Sequence, residues 1–193
     1  MNLTTLNPAS VIAIVAVILA IGVALWMSVK YAQKKRTREL RSKFGPEYDK
    51  AIGEHRDRGR AEMELLKREK RVATFHIHPL KAEERLRYTE EWRREQFLFV
   101  DDPQAAVKHA DILVQDVMQH CGYPVGDFDQ NATDLSVDHP LVVENYRAAH
   151  EIALREGQNR GSTEDLRKAM VSYRALFEDL LVENVGKPEE VRR

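Results

Sequence analysis

From Val11 to Val29 the chain carries no charged side chain, and only Gly22 and Ser28 fall outside the apolar set. At about 1.5 Å of rise per residue this run reaches about 28 Å as a helix, close to the hydrocarbon thickness of a bilayer. The pattern predicts a transmembrane helix over 11–29. Asn7-Pro8 gives it a start, because Asn caps free amides and Pro is tolerated where no intrahelical N–H bond is needed.

Past residue 43 the apolar positions recur at threes and fours, the period of a helix with one buried face. Phe44, Tyr48, Ile52, His55, Gly59, Met63 and Leu66 mark a narrow stripe on an extended, highly charged helix reaching Val72. The mixed signs between Arg56 and Arg71 belong to a solvated face. His76-Ile77-His78-Pro79 ends that helix, since a residue before proline is pushed from the α region. Helix 81–100 has Leu86, Tyr88, Trp92, Phe97 and Phe99 on more than one side, which predicts burial between neighbours.

Asp102-Pro103 reads as an N-cap and first helical residue. Helix 103–121 then buries Ala106, Val107, Ala110, Leu113, Val114, Val117, Met118 and Cys121. A short turn of helix is expected around 128–135. Asp138-His139-Pro140 opens a helix lined by Val142, Tyr146, Ala149 and Ala153, and 157–161 is a polar turn. Ser162 caps the cleanest amphipathic helix, with Leu166, Ala169, Met170, Tyr173, Leu176, Phe177, Leu180 and Leu181 inward. The fold class is therefore all-α: one N-terminal transmembrane helix, a long charged helix and a helical bundle of about four helices. The domain order is a short N-terminus (1–10), membrane helix (11–29), basic juxtamembrane segment (30–43), helical domain (44–185) and disordered tail (186–193).

Charge adds direction. Lys plus Arg total 30 against 31 for Asp plus Glu, yet Lys30, Lys34, Lys35, Arg36, Arg38, Arg41 and Lys43 crowd directly after the apolar run, opposed there only by Glu39. No charged side chain precedes Val11. The positive-inside rule places the amino terminus outside and residues 30–193 in the cytoplasm, with Trp26 and Tyr31 at headgroup level. A cleaved signal peptide wants its charge before the run and small residues after it; here Leu25-Trp26-Met27 occupies that place. The single Cys121 suits a reducing compartment. Anionic headgroups are the expected partner of the basic segment, and nucleic acid is not. Ala16, Ala20, Ala24 and Ser28 recur every fourth residue, a small-residue stripe on which a second membrane helix, such as that of another copy, would pack.

Chemistry is sparse. No glycine-rich phosphate loop, nucleophile motif or zinc-type Cys/His spacing occurs, so no catalytic residue, metal or cofactor is expected. His109, Asp116 and His120 fall together at the margin of one helix, with His150 on a neighbour. They are the residues that a helical-bundle enzyme or a metal- or ligand-binding protein would use, the alternative being a polar margin with an Asp116–His120 contact. Asn131-Ala132-Thr133 matches a glycosylation sequon, without meaning in the cytoplasm.

Several stretches, among them Phe44-Gly45-Pro46-Glu47-Tyr48, Phe99-Val100-Asp101-Asp102-Pro103, Gly122-Tyr123-Pro124, Glu144-Asn145-Tyr146-Arg147 and Ser162-Thr163-Glu164-Asp165, resemble a bacterial family of single-pass, membrane-anchored helical proteins. The resemblance implies a bacterial inner membrane and brings no activity, cofactor or catalytic residue. The expected role is a non-enzymatic interaction or scaffold module held at the cytoplasmic membrane face, with a protein partner or homodimer.

Overall fold

The computed structural model describes residues 8–156 and 162–183. The expected polar turn at 157–161 and the tail from residue 186 lie outside them. Among the described residues helices are the only regular secondary structure: α1 (Pro8–Phe44), α2 (Pro46–His55), α3 (Arg58–Val72), α4 (Ala82–Asp101), α5 (Pro103–His120), α6 (Phe128–Asp138), α7 (Val143–Glu156) and α8 (Thr163–Glu183). It divides into two units, residues 1–43 and 44–193.

The first unit is α1, which continues without a break from the apolar run into the basic segment. Nothing in that sequence stops it until Gly45, whose φ of 48° suits only glycine cheaply, followed by Pro46 at the first position of α2.

In the second unit α5 packs against α4, α7 and α8, and α7 against α8 and α6. The main apolar core comes from this group, with Trp92, Val107, Val114, Met118, Leu135, Tyr146, Tyr173 and Leu176 among its buried members. Helix α8 presents inward the face its periodicity predicts. Asp102 caps α5 by accepting from the Ala105 amide at 3.0 Å, and Asp127 caps α6 through Gln130 at 3.0 Å. Ser162 Oγ accepts from the Asp165 amide while the Asp165 carboxylate receives the Ser162 N–H, a reciprocal cap.

Three expectations are corrected. The stretch 44–72 is helical but folded into two packed helices, α2 and α3, not one extended helix. Arg56 adopts a left-handed conformation (φ 52°) that closes α2, and Asp57 caps α3 through the Gly59 amide at 3.2 Å. The break resets the helical phase, so Ala61, Leu65 and Val72 turn inward while Met63 faces solvent. Helix α4 is packed on one side only: Tyr88 and Trp92 are buried, whereas Leu86, Phe97 (69% exposed) and Val100 (80% exposed) are not. Asp138-His139-Pro140 ends α6 instead of opening α7. His139 closes α6, and its buried ring meets the Asp179 carboxylate of α8 at 2.7 Å.

The connector after α3 is fixed at Gly122 (φ 93°), where a Cβ would stand 2.2 Å from the His76 carbonyl oxygen. There the His78 amide donates to the Cys121 carbonyl at 3.0 Å. Only glycine admits this approach.

Candidate functional site

Two features carry the residues singled out from the sequence. The first is α1, long and apolar enough to cross a membrane, with none of its apolar window buried. Ile18 is 61% and Trp26 63% exposed. Ala16, Ala20, Ala24 and Ser28 lie on one line of the helix and are exposed. The Ser28 hydroxyl donates to the Leu25 carbonyl at 2.8 Å, so its bond is met within its own helix. Beyond Val29, Lys30, Lys34, Lys35, Arg36, Arg38 and Arg41 are all exposed. Steps of four and three align Lys30, Lys34, Arg38 and Arg41 on one side. Lys30 Nζ lies 6.0 Å from the Trp26 ring centroid, and Lys35 pairs with Glu39 at 3.8 Å.

The second feature is the margin of α5. Asp116 and His120 do meet, one helical turn apart, but through a residue that the periodicity did not reveal. The Tyr88 hydroxyl of α4 lies 2.7 Å from Asp116 Oδ2 and 2.7 Å from His120 Nδ1. Burial of the ring, then its bond to the Asp116 carboxylate, pushes the Tyr88 hydroxyl well above the ordinary phenol range. The phenol therefore donates to Asp116 and stays neutral. His120 Nδ1 faces acceptors on this side, the Tyr88 oxygen and, at 3.1 Å, the Asp116 carbonyl, which leaves Nε2 as the proton acceptor. Such a ring accepts a proton or one metal bond.

His109 is elsewhere, with Nδ1 3.0 Å from Glu95 of α4. His150 stacks on Phe128 with centroids 3.6 Å apart and planes within 5°. The four residues thus occupy three environments. Among the described residues no group of three or more His, Cys, Asp or Glu side chains is arranged to hold a metal ion. Asn131 is buried and exchanges bonds with the Gly126 backbone, so its amide is closed to a glycosylating enzyme.

A third charged cluster escaped the sequence reading because its partners are 63 to 100 residues apart. Glu47 of α2 is 1% exposed and meets the Arg147 guanidinium of α7 through both oxygens. Lys50 Nζ lies 2.6 Å from Glu144, and Arg71 Nε donates to the buried Asp134 at 2.9 Å.

No family model, curated protein or solved structure matches this chain, and its functional reading rests on its own residues.

Proposed function

We propose that this protein is a single-pass, membrane-anchored helical interaction or scaffold protein, non-enzymatic, of a bacterial inner membrane. Its amino terminus faces out and its helical unit stands at the cytoplasmic face. The observation that carries the reading is the exposed apolar surface of α1. A fully exposed Val, Leu or Ile forgoes roughly 1.5–3 kcal/mol of burial, so the run as a whole forgoes on the order of 20 kcal/mol in water, and lipid removes that cost.

The basic residues support the orientation, and the continuity of α1 divides them. Lys30, Lys34 and Lys35 fall within about 9 Å of the end of the apolar run, whereas Arg38 to Lys43 stand about 14–21 Å beyond it along the axis. With a Debye length of about 8 Å, only the first group feels anionic headgroups strongly, at about 1 kcal/mol per residue. The later group lies on a stalk. The Ala16, Ala20, Ala24 and Ser28 line is the face on which a second copy would pack in lipid.

The enzymatic alternative gains little from the geometry, since His109 and His150 are held apart from Asp116 and His120 by their own partners.

Alkaline extraction of membranes tests the anchor. The full chain, with its amino-terminal Met retained or simply trimmed, should remain with the bilayer, and a variant lacking residues 1–29 should be released. Recovery of a mature chain cleaved near residue 29 would identify the segment as a signal peptide and overturn the reading.

A further inference from the structure

The α2–α3 pair is joined to the rest of its unit unlike any other element. The main apolar core begins at Leu80 and contains no residue of α2 or α3. Their own apolar side chains, such as Tyr48, Ala51, Ala61 and Leu65, are buried apart from it. Four polar contacts cross the joint: Glu47 to Arg147, Lys50 to Glu144, Arg71 to Asp134, and Arg68 to Ser136 at 3.5 Å.

A cavity of about 270 Å³ opens at the same joint, lined by Glu47, Lys50, Arg68, Asp129, Thr133 and Arg147, among others. Arg68 Nε is buried there, 3.6 Å from the Glu64 carboxylate and without a hydrogen bond. Glycine with φ 48° precedes the pair and non-helical backbone follows it, while the next contact, at His76 and His78, is pinned to Cys121 and Gly122.

We infer that α2–α3 is a detachable arm, held on the α6–α7 face by an ion-pair latch centred on Glu47 and Arg147. It opens as a unit when the latch is broken, while α4–α8 stay folded. Glu47 is 1% exposed, so salt screens the pair little; removing Arg147 instead leaves a buried charge without its partner, which loosens the arm and not the core. Because the arm lies between α1 and α4 in the chain, release lengthens that connection without unfolding the core.

Hydrogen exchange of the full chain in a non-ionic detergent tests this. In Arg147→Met, where Glu47 keeps a buried charge without its partner, amides of 47–72 should exchange at least about 10-fold faster than in the parent. Those of α5 and α8 should be unchanged. In the double variant Glu47→Leu, Arg147→Met, an apolar pair replaces the latch and the exchange of the arm should return to within about threefold of the parent. Arm and core exchanging together in Arg147→Met, an arm unchanged there, or an arm as fast in the double variant as in Arg147→Met would overturn the inference.

Discussion

At the scale of single residues, Gly122 and Asp111 bear the heaviest constraints. Gly122→Ala has to accommodate both a positive φ and a Cβ 2.2 Å from a backbone oxygen. It should destabilise the protein by about 2–4 kcal/mol in denaturant unfolding, and a loss under about 0.5 kcal/mol would contradict the close approach. Asp111 sits beside Tyr173 and Tyr146, and burial raises its carboxyl above the ordinary range. A carboxyl so raised binds its proton more tightly folded than unfolded. Its contribution to stability is therefore fully present below the unfolded value of about 3.9 and is lost as pH rises through the folded value. Asp111→Asn should accordingly be more stable than the parent near neutral pH, with the difference shrinking as pH falls towards about 4. A variant less stable at neutral pH would show that Asp111 is held there as a needed charge.

Among the elements, most helices were legible because they announce both ends. Asp102-Pro103, Ser162 and the unbroken apolar period of α8 fix those helices locally, and they stand where expected. The break at Arg56 was not legible, since a left-handed non-glycine residue leaves no compositional mark, and the phase shift it causes moved the buried face of α3. The one-sided burial of α4 was hidden for a different reason. Apolar residues on two faces predict two neighbours, but only the fold decides whether a second arrives. Arg56→Gly tests the break directly. It removes a backbone cost of about 1–2 kcal/mol, partly offset by unfolded-state entropy, for a net gain of about 0.5–1 kcal/mol in unfolding measurements. A net loss would mean that residue 56 is not left-handed. The candidate site was half legible: Asp116 and His120 share a face four residues apart, but Tyr88 and the Glu47–Arg147 pair reach their partners only through tertiary packing.

For the whole molecule, an exposed apolar helix, a basic stretch on the same continuous helix and a separately cored helical unit support the proposed membrane-tethered module. The proposed orientation follows from the placement of charge. Reversing Lys30, Lys34, Lys35 and Arg36 to Glu should invert or scramble the topology, whereas an unaltered orientation would remove the basis of the assignment. The most direct measurement is a pair of carboxyl-terminal fusions expressed in bacteria, one to a reporter active only in the cytoplasm and one to a reporter active only outside it. Activity from the cytoplasmic reporter alone is the predicted result. Activity from the external reporter alone would contradict it, placing the helical unit and its basic stalk on the far side of the membrane.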